Sequence, residues 1–237
     1  MKPEATRACA LPPWAPDKQV ALDSRWRAHD LLKLRRLAVL PGEPEWVRSA
    51  FARAPFAVVR RAESAAGYVA VGLRGGARNE RYGAWAETAD IEAVIAPESL
   101  VGIQPAVDRA RYPVFNILHA LRDTSCLAEF SWGPTGSAGF ELATGLPTTT
   151  PISDLDLLIR TPAPLSREAA RALLGELTAY AERAGTRLDA QLETPAGGVA
   201  LAELASDKAR VMVRGAQGPR LVADPWPAAE THMRESA

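Results

Sequence analysis

The feature that most restricts this chain is Asp154-Leu155-Asp156, followed at once by Leu157, Leu158 and Ile159. A short apolar run of this kind reads as a buried strand. Residues i and i+2 of a strand share a face, so the two carboxylates point together and Leu155 points away. Carboxylates about 7 Å apart along a strand can both reach a divalent cation. Taken alone, such a pair at a strand start is most often a solvated loop end, and its surroundings are what make it informative. Upstream, Gly133-Pro134-Thr135-Gly136-Ser137 is a small-residue turn that opens a helix ending at Thr144, stopped by Gly145 and Pro147. A helix amino end aims backbone N–H groups at anions. Downstream, Ser166 caps a long helix whose apolar stripe is Ala170, Leu173, Leu174, Leu177, Tyr180 and Ala181, and Gly185 ends it. A strand over 187–194 then carries Asp189, Gln191 and Glu193 on one face. If it lies beside the Asp154–Asp156 strand, Asp189 completes a site of three carboxylates.

The first half of the chain has a different texture. Residues 1–20 are rich in Pro and small residues and are expected to form a flexible arm. Leu31, Leu32, Leu34 and Leu37 suit a short helix or a strand equally well. Residues 44–54 read as a helix, and 56–61, 68–73 and 84–89 as strands. The loop between the last two carries Arg74, Arg78 and Arg81, which form either a phosphate clamp or a solvated basic loop. In the second half Pro113 opens a helix, residues 126–132 read as a short strand, and residues around 216–219 turn a hairpin. The expected architecture is α+β in two domains behind the arm. Residues 21–110 make a small α+β domain with an antiparallel sheet, and residues 111–237 a catalytic domain with a mixed sheet flanked by helices.

Composition narrows the function. Apolar residues make up 47% and charged residues 24%, as in ordinary soluble globular proteins. No apolar run approaches about 18 residues, so no membrane span is expected. The amino terminus places Pro and an acidic residue where an export signal needs an apolar core. Cys9 and Cys126 make neither a disulfide framework nor a metal cluster, and a cytoplasmic location with reduced thiols is expected. Formal net charge is zero, which argues against a general nucleic-acid binder. His29 beside Asp30 fits a capping or packing role better than an acid–base pair. Lys208 and Arg210 are candidates for reaching phosphates from the far side, and Trp132 for walling the site.

Gly136-Ser137 opening a helix, Asp154-Leu155-Asp156 on a strand and Leu188-Asp189-Ala190 on a later strand together resemble the signature of the nucleotidyltransferase superfamily with the polymerase-beta-type fold. The longer wording narrows this. WGPTGSAGFELATG, SDLDLLIR and DAQLETPAGGVALAEL, with HDLL and GLRGGARNERYGAW nearer the amino end, resemble the phosphoribosyl-dephospho-CoA transferases of malonate decarboxylase, also called holo-acyl-carrier-protein synthases. The resemblance implies an enzyme that moves a triphosphoribosyl-dephospho-CoA unit onto a serine of a small acyl carrier subunit and releases pyrophosphate. It implies two Mg²⁺ ions held by Asp154, Asp156 and Asp189, with Asp189 also helping to deprotonate the serine. Gly133, Gly136 and Ser137 are then expected to meet the phosphates, with Arg74, Arg78, Arg81 and Lys208 as further binding residues. The loop over 145–153 is expected to order over the bound donor. The implied partners are the carrier and the donor, without nucleic acid or membrane. The alternatives are a nucleotidyltransferase for another hydroxyl and a non-catalytic carrier-binding module.

Overall fold

Of the leucines whose spacing suits helix and strand equally, Leu31, Leu32 and Leu34 lie in an interior strand, because pairing on both sides decides the matter, and Leu37 follows it. The computed structural model describes residues 8–9, 20–21, 25–77 and 79–226. Its first half contains β1 (Ala8–Cys9), β2 (Val20–Ala21), β3 (Leu31–Leu34), α1 (Trp46–Arg53), β4 (Phe56–Val59), β5 (Ser64–Ala65), β6 (Tyr68–Arg74), β7 (Arg81–Glu87) and β8 (Ile91–Ile95). Six of these strands form a sheet in the order β1-β7-β6-β4-β3-β8, antiparallel except for the β1–β7 pair. Leu31 is paired with both Val58 and Ile95. Leu32, Leu34, Val47, Val59, Val71 and Leu73 close a core. Beyond Ala8–Cys9 and Val20–Ala21, the arm expected over 1–20 lies outside the described residues.

The second half contains α2 (Pro113–Arg122), β9 (Ser131–Pro134), α3 (Gly136–Thr144), β10 (Leu155–Arg160), α4 (Arg167–Ala184), β11 (Leu188–Thr194), β12 (Gly197–Ala200), α5 (Leu201–Leu204), β13 (Val211–Gly215) and β14 (Gly218–Val222). The sheet order is β14-β13-β12-β11-β10-β9. Strands β10 and β11 are parallel, joined by α4, and the other pairs are antiparallel. Ser166 caps α4 by accepting from the Ala169 N–H, and Gly185 ends it at φ 71°. The strand expected over 126–132 begins later. Thr124 caps a single 3₁₀ turn, Ser125–Leu127, by accepting from the Cys126 N–H. Pro134 is part of β9 because that strand is an edge, where a missing N–H costs little. Leu100, just ahead of the helices, already belongs to this second core. Among the described residues no helix is long and apolar enough to cross a membrane.

The faces of the second sheet divide by strand alternation. Leu155, Leu157, Ile159, Leu192, Val199 and Val213 turn to the core that α2 and α4 share. Asp156 and Arg160, Asp189 to Glu193 in steps of two, Gly198 and Arg214 turn to the other side, where the first sheet lies. Ion pairs stitch that side at one end. Arg160 reaches Asp30 at 3.3 Å and also binds Glu98, and Arg61 binds Glu193. His29 sits in this junction with φ 73°, its Nε2 3.1 Å from Arg61 and 3.1 Å from the Gln191 amide. Burial, then the Arg61 and Arg160 cations, push its imidazole down to about 3. His29 is therefore neutral at physiological pH and links Arg61 to Gln191.

The loop over 145–153 is held at its middle. Glu141, 5% exposed, accepts from the Thr148 and Thr149 N–H groups at 2.7 Å each and from Thr149 Oγ1 at 2.8 Å. Arg109 grips the same carboxylate at 2.9 and 3.1 Å. Burial pushes this carboxyl up, but Arg109 and the threonine donors outweigh it and hold it below the usual range. Its contribution is therefore present at neutral pH and is lost on acidification. Residues 150–152 form an exposed tip. Replacing Glu141 with Ala leaves the part-buried Arg109 and the Thr148 and Thr149 N–H groups without their shared acceptor, and a loss of about 1–3 kcal/mol is expected. A thermal or urea melt of the variant checks this.

Candidate active site

A cavity of about 680 Å³ separates the two sheets. Its floor comes from the second sheet. Asp156 on β10 and Asp189 on β11 stand directly opposite each other in the parallel register, and both line the cavity. Adjacent strands lie about 4.8 Å apart, so the two carboxylates are forced together. The carboxyl of Asp156 is raised above its usual range, by burial first, then by Asp189 and, more weakly, Asp154. Arg74 and Arg81 pull it the other way. A carboxylate crowded by its own kind, with cations nearby, is a mark of a site that handles charge.

The amino end of α3 enters the cavity beside this pair, with Thr135, Gly136 and Gly139 on its wall. Two constraints make residue 136 a glycine. Its φ is +58°, and a Cβ there would fall 1.8 Å from Asp156 Oδ2. The helix end and the carboxylate are thus in direct contact. Thr135 N–H also donates to the Asp156 carbonyl at 2.8 Å, tying the turn to β10.

The roof belongs to the first sheet. Arg74 and Arg81 are an in-register pair across β6 and β7, and both line the cavity. They are brought to the carboxylates from more than 70 residues away in the chain. Arg78 lies outside the described residues. Arg60 on the roof and Arg214 on the floor also line the cavity, and neither stood out in the sequence. A single arginine in a strand pattern carries no signal until its face is known.

Other expected site residues are placed elsewhere. Gly133 is buried beneath the Pro97–Glu98 backbone, and a Cβ there would lie 2.0 Å from the Pro97 carbonyl oxygen. Its smallness serves the packing of that segment onto β9. Ser137 is buried, and its carbonyl accepts from Thr148 Oγ1 at 2.8 Å, so it braces the loop over 145–153 and is not among the cavity-lining residues. Lys208 is on the surface, its Nζ 4.0 Å from Glu203, and Arg210 is likewise outside the cavity lining. Trp132 packs against the helical core instead of the cavity. Asp154 stands just before β10 and is paired with Arg187 at 2.5 and 3.1 Å. Among the described residues no three His, Cys, Asp or Glu side chains converge as a ready-made metal cage.

Paired strand carboxylates, one of them touching a helix amino end, and faced by guanidiniums across a cavity, define a protein of the class that works on phosphate esters. Family and relatives agree with that class. Residues 100–225 match the C-terminal domain, and residues 27–97 the N-terminal domain, of the phosphoribosyl-dephospho-CoA transferase MdcG family. The chain belongs to this family. It is 43% identical over 202 residues to the phosphoribosyl-dephospho-CoA transferase of Pseudomonas fluorescens, covering 85% of this chain and 94% of the relative. A Pseudomonas putida protein of the same name is 46% identical over 199 residues, 84% of this chain and 94% of its own. One from Azotobacter vinelandii is 43% identical over 188 residues, 77% and 85%. No solved structure matches the chain.

Proposed function

We propose that this chain transfers a phosphoribosyl-dephospho-CoA unit from its triphosphate to a serine of an acyl carrier subunit, that of malonate decarboxylase, and releases pyrophosphate. The observation that carries the reading is the in-register Asp156–Asp189 pair, with Asp156 in contact with Gly136, beneath Arg74 and Arg81. The names of the relatives support the donor, and the acceptor is what the sequence resemblance to the malonate decarboxylase transferases implies.

In the transfer, the serine Oγ forms a bond to the donor's α-phosphorus while the bond to the bridging oxygen of the leaving pyrophosphate breaks. The Asp189 carboxylate takes the serine proton. Arg74 and Arg81 offset the charge that builds on the departing phosphates. The N–H groups at the start of α3 meet a non-bridging oxygen and favour its negative charge. Asp156 and Asp189 also suit a divalent cation, because their mutual repulsion is what a cation relieves. Asp154 joins them only by leaving Arg187, whose side chain is 80% exposed. Water and salt screen such a pair heavily, so it is easily exchanged. Mg²⁺ bound there would supply Lewis-acid charge at the phosphates. A cytoplasmic setting belongs to the same reading.

The test is pyrophosphate release and a mass gain on the carrier serine, with triphosphoribosyl-dephospho-CoA and apo carrier, with and without Mg²⁺. The expected result is both signals, dependent on Mg²⁺. Tight carrier binding with no mass gain in any condition overturns the proposal in favour of a binding module.

A further inference from the structure

The cavity extends beyond what the carboxylate pair requires, and its second end carries its own cations. On the floor, Glu193 of β11 pairs with Gly198 of β12, and Gly198 pairs with Arg214 of β13. Arg214 therefore lies in the row of Glu193, four residues along β11 from Asp189. At about 3.3 Å per residue that is about 13 Å from the row of Asp156 and Asp189. On the roof, Val58 of β4 lies opposite Gly72 of β6. The strands run antiparallel, so Arg60 lies beyond Gly72 on the side away from Arg74. Its Cδ lies 3.3 Å from where a Gly72 Cβ would be, so its stem crosses that glycine. The next residue, Arg61, reaches down to Glu193 and lies against Gly198, 2.7 Å from the place of its Cβ. The backbone at 60–61 is thus held above the Glu193–Gly198–Arg214 row. Arg60 and Arg214 both line the cavity at this end.

Between the two cationic ends runs an apolar strip. Ile95, Leu31, Val58, Gly72 and Gly83 form one cross-strand row of the first sheet, each in register with the next. All five line the cavity. Its roof therefore reads guanidinium pair, apolar strip with two glycines, guanidinium. A ligand complementary to this carries phosphates at one end, a flat apolar body in the middle and a second phosphate group at the far end. A nucleoside with a phosphate chain on each side has that layout, whereas an ordinary nucleoside triphosphate leaves the far end unfilled.

We propose that Arg60 and Arg214 form a second anion subsite, which holds the diphosphate of the donor's dephospho-CoA half while its adenosine lies along the Leu31–Val58–Ile95 strip. This assignment rests on the transferase reading above. It gives the first sheet a part in choosing the donor, since two of the three elements the subsite and strip require come from it.

The test is calorimetric titration of the purified full chain with three probes: dephospho-CoA, adenosine and tripolyphosphate. The double variant Arg60→Met with Arg214→Met is expected to bind dephospho-CoA at least about tenfold more weakly at fixed salt, the scale of lost charge-assisted hydrogen bonds. Its binding of adenosine and tripolyphosphate stays within about twofold of the parent, which also shows that it is folded. The variant Arg60→Lys with Arg214→Lys recovers part of the dephospho-CoA binding. Dephospho-CoA binding unchanged in the Met variant overturns the subsite while leaving the transferase reading intact, as does equal weakening of all three probes. A parent chain that binds tripolyphosphate but neither binds dephospho-CoA nor transfers triphosphoribosyl-dephospho-CoA to the carrier overturns both.

Discussion

Asp156→Asn is expected to lower the transfer rate by at least about 10²–10³-fold, the usual scale for losing one electrostatic group at a reacting centre. The same variant is expected to melt no lower than the parent at pH 7, and slightly higher. Folding raises the Asp156 carboxyl above its usual range, through burial, Asp189 and Asp154 in that order. Its ionised form is therefore disfavoured in the folded state. The penalty is absent below the unfolded value of about 3.9 and is fully present above the raised folded value. Asn carries no charge, so its advantage in melting temperature is present at pH 7 and vanishes near pH 3. Steady-state transfer assays and melts at the two pH values check both halves. Loss of activity with a lower melting temperature would point to a structural role for Asp156 instead.

Gly136→Ala is the second large effect. A Cβ at this position would meet Asp156 Oδ2 at 1.8 Å and Cγ at 2.7 Å. The backbone at φ +58° adds strain of about 1–2 kcal/mol for any side chain. The carboxylate must move aside, and misplacing a reacting group by about 1 Å costs about 10²-fold. Gly145, at the other end of α3, separates the two causes. It is also left-handed, at φ +72°, but nothing lies within 4 Å of its Cβ position. Gly145→Ala should lose similar stability and keep its activity. Paired melts and transfer rates for the two variants decide it, and equal activity losses would refute the contact between Gly136 and Asp156 as the cause.

Much of the site could be read from local spacing. The i, i+2 alternation through Asp154–Asp156 and through Asp189–Glu193 defines faces without any knowledge of neighbours. Gly136 before a helix and Gly185 after one are legible for the same reason, since their backbone conformations are set within a few residues. Leu31, Leu32, Leu34 and Leu37 were ambiguous because both periods fit them, and only the pairing of Leu31 with Val58 and Ile95 puts the first three in a strand. Gly133 looked like part of a phosphate turn. What demands a glycine there is Pro97, which is 36 residues away in the chain.

The sequence by itself determined the helix, the turn and the strand carboxylates of the second half, because each is a short-range pattern of backbone conformation and side-chain direction. The tertiary structure decided what faces them. It set Asp189 opposite Asp156 through the β10–β11 register, and it left Asp154 with Arg187. It brought Arg74 and Arg81 over the pair and Arg60 over the far end of the cavity by stacking one sheet on another, and it kept Lys208 on the surface. Charge and polarity are properties of a residue, but which charge meets which is set by sheet packing between segments far apart in the chain, and no local spacing encodes that.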